Sequence, residues 1–232
     1  MAGHKLLHLL AKVRRNWEPL VFLVTFCLLD YSLKAILLSE HAYSGYRPLE
    51  ILFAAAHFHV KYLEPLLWPA LLVMILTALG LRWAGRPSRL MLDLIGCWFS
   101  FRMVTQFLVV NLLMFVPAKK PELLIIQIVL FFPEVILSWG WIYWRLDSFS
   151  RKEGKPLVLL GDNPGAPAVF DYFAASMNAT LTNQNALVRG ATPWMQILVF
   201  IHGLMMLDLM GLTLSRAISL AGALIVPPAG GP

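Results

Sequence analysis

Apolar stretches of about 20 residues recur along this chain, and their length constrains the fold more than any other feature of the sequence. A helix of that length crosses a hydrocarbon core of roughly 30 Å. Hydrophobic residues make up 59% of the 232 residues and charged residues only 14%, an apolar excess that one soluble core of this size cannot bury. The sequence therefore predicts an all-α, polytopic integral membrane protein.

Polar or proline-rich breaks divide the apolar stretches into spans. Clear spans run from about Pro19 to Leu38, Pro65 to Trp83, Leu90 to Val116, Leu123 to Trp144 and Trp194 to Leu224. The stretch from Pro48 to Tyr62 is shorter, and it fits a re-entrant helix, an interfacial helix, or a short span that turns tightly into the next. Arg145 to Pro167 is the longest polar region and is predicted to be a loop. We therefore expect five or six transmembrane helices, with a preference for six.

Basic residues before the first span set the expected orientation. The basic cluster consists of Lys5, Lys12, Arg14 and Arg15, and it favours a cytoplasmic N-terminus. The leucines beside these residues predict an amphipathic segment over residues 1–18. The net charge of +6 is explained by this topology, and no basic–aromatic alternation of the kind that stacks bases is present. Membrane lipids are therefore expected as contacts, and nucleic acid is not.

A motif in the last third of the chain resembles a known membrane module. From Tyr172 the sequence reads Tyr-Phe-Ala-Ala-Ser-Met-Asn-Ala-Thr-Leu-Thr-Asn-Gln-Asn, and Gly190-Ala-Thr-Pro193 follows before a long apolar helix. This resembles the pore module of potassium channels, in which a short pore helix ends in Thr-Leu-Thr-Thr-Val-Gly-Tyr-Gly-Asp. The beginning of that signature survives as Thr180, Leu181 and Thr182.

The resemblance extends to both sides of the motif. Trp139-Gly-Trp-Ile-Tyr143 followed by Asp147-Ser-Phe-Ser150 is similar to the end of the outer helix in small bacterial channels, where a Trp and a Tyr precede a Pro-Gly-Ser-Phe turn. Ile201 to Leu220 is similar to the inner helix of those channels, with Arg216 near its end. The resemblance implies a bacterial inner or plasma membrane and a channel-like pore module over 121–224. Hydropathy alone assigns front membrane helices over 19–120, and a Pro/Gly tail follows over 225–232.

The selectivity filter departs from the family. A potassium filter needs backbone conformations that glycine adopts at little cost, and here the glycines are replaced. Asn tolerates the left-handed region better than other non-glycine residues, whereas Ala186 and Leu187 do not suit it. The acidic residue that the family has after the filter is missing, and Val188 and Arg189 lie nearby instead. A positive charge opposes cations at the mouth. Selective potassium conduction is not expected from this degenerate filter of Thr180, Leu181, Thr182, Asn183, Gln184 and Asn185.

Charged residues also fall inside the predicted spans, where each costs roughly 2.5–3.5 kcal/mol at mid-depth. They are Asp30, Lys34, Arg102, Glu134 and Asp208. Asp30 and Lys34 are one helical turn apart and are expected to pair. Arg102, which shares a helix face with Gln106, is expected to pair with Glu134 or Asp208. Alternatively, four copies of Asp208 in a tetramer would form a ring on a cation or proton path.

His202 lies alone on the predicted inner helix, next to the small residue Gly203. It is interpreted either as the ligand of a pigment or haem, for which a small neighbour leaves room, or as a histidine hydrogen-bonded to a neighbouring helix. No metal-ligand spacing, nucleophile–base set or phosphate loop is present, so no metal and no enzymatic activity are expected. The aromatic residues suit lipid, quinone or pigment contacts, and a belt at the membrane surface is predicted for Trp139, Trp141, Tyr143 and Trp144.

Two hypotheses for function remain. The first is a channel homologue that conducts non-selectively or regulates ion flow, which needs several copies around an axis, as in a homotetramer. The second is a non-conducting accessory or scaffold subunit of a larger membrane complex. Six spans would place the re-entrant segment on the outer side, as in potassium channels, whereas five would place it on the cytoplasmic side with the N-terminus.

Overall fold

The structure, a computed structural model, describes residues 16–36, 47–86, 88–112, 121–160, 167–182 and 188–225. Within these ranges the chain forms seven α-helices, one π-helical turn and two short strands. In chain order they are α1 (Trp17–Ile36), α2 (Arg47–Phe58), the π-helical turn His59–Leu63, α3 (Glu64–Trp83), α4 (Arg89–Leu112), α5 (Pro121–Arg151), β1 (Val158–Leu160), α6 (Val169–Thr182), β2 (Val188–Gly190) and α7 (Pro193–Ile225).

The all-helical architecture predicted from composition is confirmed. Two details at the end of α5 differ from the sequence analysis. The helix continues to Arg151, so the turn that the resemblance implied at residues 147–150 is wrong. The region predicted to be a loop also contains β1, which pairs antiparallel with β2. Strands of three residues are too short to show the alternation by which a strand is recognised in a sequence.

Residues 47–83 form one continuous helical segment. The interpretation of a tight turn between Tyr62 and Pro65 is wrong, because the backbone passes through the π-helical turn directly into α3. Pro65 lies in the first turn of α3, where the N–H that proline lacks would have no partner within α3 itself. The additional reversal that six spans require is therefore not found at this point.

Ends of the four helices α1, α3, α4 and α5 meet at one acidic residue, which shows the direction in which each helix runs. Glu18, at the start of α1, is fully buried. It accepts hydrogen bonds from Arg82 at the end of α3 (3.2 Å), from Arg89 at the start of α4 (2.9 Å) and from Trp141 near the end of α5 (3.0 Å). We call this side of the bundle the Glu18 end. Hence α1 and α4 run away from the Glu18 end, and α3 and α5 run towards it.

Two hydrophobic clusters fill the bundle. One lies among α1, α3 and α4 and includes Phe22, Ile75 and Ile95. The other lies among α4, α5, α6, α7 and the strands, and includes Val135 and Met206. The helices α4 and α5 approach closely between the clusters, because a Cβ atom at Gly96 would collide with the Trp141 ring.

The predicted aromatic belt is wrong for most of its members. Trp139, Trp141 and Tyr143 are buried, and only Trp144 is half-buried. A belt residue faces the lipid headgroups, but successive residues of a helix point in directions about 100° apart, so a run of aromatics cannot share one face. Two of the polar groups also bond inside the protein, since the Trp141 indole donates to Glu18 and the Tyr143 hydroxyl bonds to His202.

Two helical stretches among the described residues are long and apolar enough to cross a membrane, Pro65–Trp83 in α3 and Pro193–Ser215 in α7. Only 17% and 28% of their apolar windows are buried inside the protein. The core helix of a soluble protein would be mostly buried, because its apolar side chains would otherwise face water. The outward faces of α3 and α7 therefore call for an apolar environment, and further spans stay a prediction.

Candidate functional site

The helix α6 lies between two strands that pair at one end of the bundle. Its 14 residues extend about 21 Å, less than the roughly 30 Å of a hydrocarbon core. β1 precedes the helix and β2 follows it, and the two strands pair with Leu159 opposite Arg189. The ring of Trp17, at the Glu18 end, lies 5.5 Å from that of Phe173 in α6. The chain between the strands therefore makes a re-entrant excursion from the Glu18 end.

Asp147 fastens the beginning of this excursion. One oxygen of its buried carboxylate accepts hydrogen bonds from the backbone N–H groups of Leu157 (2.7 Å) and Val158 (2.9 Å). The other accepts from the Tyr172 hydroxyl (2.5 Å) and from Nε of Arg151 (2.8 Å). A single carboxylate thus joins the end of α5, the start of β1 and the first turn of α6.

The charges around Asp147 favour this arrangement. Burial disfavours the charge of the Arg151 guanidinium, but its hydrogen bond to Asp147 and the attraction of that carboxylate outweigh burial and raise its pKa. The pKa of the Tyr172 phenol is raised mainly by burial and, to a smaller extent, by the hydrogen bond to Asp147. The phenol therefore stays neutral and remains a donor at physiological pH.

His202 fastens the far end of the excursion. Its ring nitrogens are hydrogen-bonded to the Tyr143 hydroxyl (Nδ1, 2.8 Å) and to the Thr180 hydroxyl (Nε2, 3.3 Å). The Trp139 ring stacks on the imidazole, with centroids 4.5 Å apart and an interplanar angle of 9°. All four side chains are buried. We call this group the His202 node, and it joins α5, α6 and α7.

The His202 node bears on the predicted haem or pigment ligand. Both ring nitrogens already have partners, so ligation would require one of the two hydrogen bonds to break. The alternative prediction, a histidine hydrogen-bonded to neighbouring helices, describes the observed geometry. No group of three or more His, Cys, Asp or Glu residues is placed to hold a metal ion in the part of the chain that the structure describes.

Only the beginning of the degenerate filter falls on described residues. Thr180 is buried against His202, whereas the next residue, Leu181, points to a different face of α6 and is exposed. Thr182 ends the helix, and its side chain lies outside the described part. The rest of the predicted filter, Asn183, Gln184 and Asn185, also lies outside it. The backbone conformation of this stretch therefore stays a prediction.

The chain rejoins α7 by a close contact at Gly190. A Cβ atom there would collide with the backbone of Met195 and Gln196, so only glycine allows β2 to lie against the first turns of α7. The Gln196 side chain donates to the Gly190 carbonyl at 3.2 Å. Arg189 is exposed beside this contact. The positive charge of Arg189 therefore lies where β2 meets the start of α7.

The charged residues predicted inside the spans have different surroundings. Arg102 on α4 and Glu134 on α5 are both buried, and their charges interact. Asp208 on α7 is half-buried, and its Oδ2 atom has no hydrogen-bond partner among the described residues. The side chains of Asp30 and Lys34 lie outside the described part. The predicted pairing of Arg102 with Glu134 is thus compatible with the structure.

A charged network at the Glu18 end was missed by the sequence analysis. Arg89 bonds to Asp93 as well as to Glu18, and Arg145 forms two 2.7 Å hydrogen bonds with Asp93. The pair Arg89–Asp93 could have been found from its spacing of four residues on one helix. Glu18 and Arg145 are distant in sequence from their partners, so no local pattern indicates them.

Comparison with known proteins gives no relative. No protein-family model, curated protein or solved structure matches this chain. The resemblance to the potassium-channel pore module therefore stays a prediction. Function must be argued from the re-entrant helix and the groups that hold it.

Proposed function

We propose that this chain is an integral membrane protein with a pore-type re-entrant module in its C-terminal half, and that this module does not select potassium. One observation carries the proposal. α6 is a half-length helix between the two long helices α5 and α7, and both strands that flank it lie at the same end of the bundle. A long helix, a half-helix and a second long helix are also the parts that the resemblance to potassium channels implies.

The outward surface supports a membrane location. On α3 the exposed apolar side chains include Leu66, Val73 and Leu76. On α7 they include Phe200 and Leu207. Water disfavours such continuous apolar surfaces, whereas lipid tails or neighbouring apolar subunits suit them.

The antiparallel order supports five spans rather than six, namely α1, α3, α4, α5 and α7. Basic residues concentrate at the Glu18 end, and the positive-inside rule then places this end in the cytoplasm. They include Arg82, Arg86, Arg89, Arg145, Arg151, Lys152, Lys155 and Arg189. The re-entrant helix would then enter from the cytoplasmic side, opposite to the orientation of potassium channels.

The surroundings of the filter support a lack of potassium selectivity. A potassium filter uses backbone carbonyls in a conformation that Ala186 and Leu187 disfavour. Arg189 adds a positive charge near the opening, which opposes cations. The function that fits is non-selective conduction or regulation of ion flow by several copies around an axis.

A second candidate function, a non-conducting scaffold subunit, has its own support. Asp147 fastens the start of the re-entrant excursion, and His202 fastens its far end. Both residues belong to the same chain as α6, so the half-helix keeps its position without a neighbouring copy. A single copy beside other proteins would therefore be stable.

The stoichiometry in the native membrane separates the two candidates. The protein would be extracted from its own membrane in mild detergent, and the mass of the particle would be measured by native mass spectrometry. A homotetramer is expected for the channel homologue. One copy per particle with other membrane proteins would contradict that function and support the scaffold.

Bilayer recording of the purified oligomer then tests conduction. We expect currents with a potassium-to-sodium permeability ratio of about one, because Ala186 and Leu187 disfavour the backbone conformation in which carbonyls select potassium. Asp208→Asn removes a half-buried charge from α7 and is expected to reduce cation current. Glu153→Gln is the matched control, because Glu153 is an exposed carboxylate on the surface. Absence of current from a stable oligomer would contradict a conducting role.

A further inference from the structure

Polar atoms without partners collect in the seam between α4 and α5. Glu134 Oε1, Gln106 Nε2 and Ser138 Oγ have no hydrogen-bond partner among the described residues. The three side chains are only 1%, 3% and 5% exposed. Buried polar groups in proteins are nearly always hydrogen-bonded, because an unmade bond keeps the full cost of desolvation. A concentration of such atoms in one seam therefore points to a bound polar ligand.

Contacts along the seam fix the register in which α4 and α5 face each other. Arg145 bonds to Asp93 at the Glu18 end, and the Trp141 ring lies against Gly96 further into the bundle. Because the two helices are antiparallel, residues with lower numbers in α5 lie opposite residues with higher numbers in α4. The next groups to meet are Arg102 of α4 and Glu134 of α5, whose charges interact.

The polar side chains follow one another along the seam, with Ser138 one turn nearer the Glu18 end than Arg102 and Glu134, and Gln106 one turn further from it. Ser138 lies one helical turn from Glu134 on the same face of α5, and Gln106 lies one turn from Arg102 on the same face of α4. We call these four residues the seam site. The two helices thus present a carboxylate, a hydroxyl, an amide and a guanidinium to each other inside an otherwise apolar bundle.

The chemistry of the unpaired atoms identifies the ligand class. Gln106 Nε2 is a donor, Glu134 Oε1 is an acceptor when ionised, and the Ser138 hydroxyl is both. A metal cation would need acceptors alone, and the positive charge of Arg102 would oppose it. Water matches the mixture, because one molecule donates two hydrogen bonds and accepts two.

We infer that the seam site binds internal water and that Glu134 exchanges a proton with that water. In the uptake step a hydronium ion gives its proton to the Glu134 carboxylate, an O–H bond forms on the carboxyl group, and neutral water remains. In the release step that O–H bond breaks, and the proton returns to water. No other reactant is needed.

The charged and polar groups at the depth of Glu134 come from several helices. Arg102 from α4 carries the charge that interacts with Glu134. Asp208 from α7 lies at a similar depth, about 9 Å beyond His202, while Glu134 lies about 7.5 Å beyond Trp139, the aromatic partner of that histidine. The described residue of α1 at this depth is Thr25, which donates to its own helix. α6 reaches the bundle interior with the neutral Thr180.

This inference goes beyond the proposed function, because the seam site lies on α4 and α5 and does not require a pore. The protein would be reconstituted in liposomes and titrated while infrared difference spectra are recorded in H₂O and in D₂O. We expect a protonated-carboxyl C=O band that grows as the pH falls and shifts in D₂O. Glu134→Gln should abolish the band, whereas Asp208→Asn should retain it.

A second variant tests the water separately from the carboxylate. Gln106→Leu removes one donor from the seam site and disfavours the ionised form, so the titration midpoint of the band should rise by about one pH unit. Gln196→Leu is the matched control, because Gln196 is an exposed glutamine at the Glu18 end, and it should leave the midpoint unchanged.

Two results would overturn the inference. The first is a titrating band that persists in Glu134→Gln, and the second is a wild-type band that does not respond to D₂O. If Glu134→Gln does not fold, the midpoint in Gln106→Leu decides, and an unchanged midpoint there rejects the seam site.

Discussion

His202 illustrates the residue scale, because its meaning depends on two partners that are far away in the sequence. Tyr143 is 59 residues distant and Thr180 is 22 residues distant. The sequence places a lone histidine beside Gly203 on an apolar helix, and that placement suits a haem ligand as well as a structural hydrogen bond. The decision comes from α5 and α6, which supply a partner for each ring nitrogen.

The first prediction concerns the hydrogen bond between Tyr143 and His202. Tyr143→Phe keeps the ring that packs 5.5 Å from Trp139, but it leaves the buried Nδ1 atom of His202 without its partner. Loss of one partner in a buried pair costs about 1–3 kcal/mol. We expect the free energy of unfolding in detergent to fall by about that amount, as measured by denaturant titration.

The matched control is Tyr62→Phe, because Tyr62 is 58% exposed in the π-helical turn. It should change stability by about 0.5 kcal/mol or less. Equal stability of the two variants would show that the His202 node does not hold the helices together.

At the scale of elements, the connection from α5 to α6 differs most from its prediction. The sequence indicates a loop after Trp144, because Gly and Pro follow and hydrophobicity falls. α5 nevertheless continues to Arg151, and Gly154, with a φ of 76°, lies in the turn beyond it. A glycine just past a helix is a recognised stop signal and could have located this end. The extension matters because it carries Asp147 to the start of β1.

The second prediction concerns this anchor. Asp147→Asn replaces one carboxylate oxygen by an NH₂ group, which cannot accept a hydrogen bond. One pair of donors therefore loses its acceptor, either the two backbone N–H groups at the start of β1 or the side chains of Tyr172 and Arg151. Hydrogen bonds to charged groups contribute about 1.5–3 kcal/mol each, and we expect a loss of stability in that range. Trypsin should also cleave faster after the exposed Lys152.

Asp171→Asn serves as the control for the same chemical change. Asp171 is exposed and accepts one 2.6 Å hydrogen bond from the backbone of Ala168. It should cost about 1 kcal/mol or less, with unchanged cleavage after Lys152. Cleavage that is accelerated equally in both variants would remove Asp147 from its role as an anchor.

For the whole molecule, the antiparallel order decides which ends of the helices share a side. Glu18 contacts Arg89 and Trp141, which are 71 and 123 residues away, and these contacts place the starts of α1 and α4 beside the end of α5. The re-entrant helix starts from the same end. The six-span interpretation places the start of the first span and the re-entrant segment on opposite sides, whereas the contact between Trp17 and Phe173 brings the start of α1 and α6 together.

The third prediction tests this arrangement by labelling single cysteines in sealed vesicles with a membrane-impermeant maleimide. Arg86→Cys and Lys155→Cys lie at the Glu18 end and should label from one side, and Arg47→Cys, at the start of α2, should label from the other. The background must lack Cys27 and Cys97, because both thiols are exposed.

The positive-inside rule adds that the side shared by residues 86 and 155 is the cytoplasmic one. Labelling of these two positions from opposite sides would contradict the fold. Labelling of both from outside would instead keep the fold and reverse the proposed orientation.

The sequence by itself determined the helical class, the approximate bounds of α1, α3, α4 and α7, and the half-length helix that carries Thr180 and Leu181. These features are local, since the length of an apolar run and the breaks around it are written in neighbouring residues. The tertiary structure alone decided the partners of Glu18, Asp147 and His202. It also decided that Trp139, Trp141 and Tyr143 near the end of α5 are core residues, and that the re-entrant helix shares an end with the start of α1. Such pairings depend on the register between antiparallel helices, which no local pattern encodes.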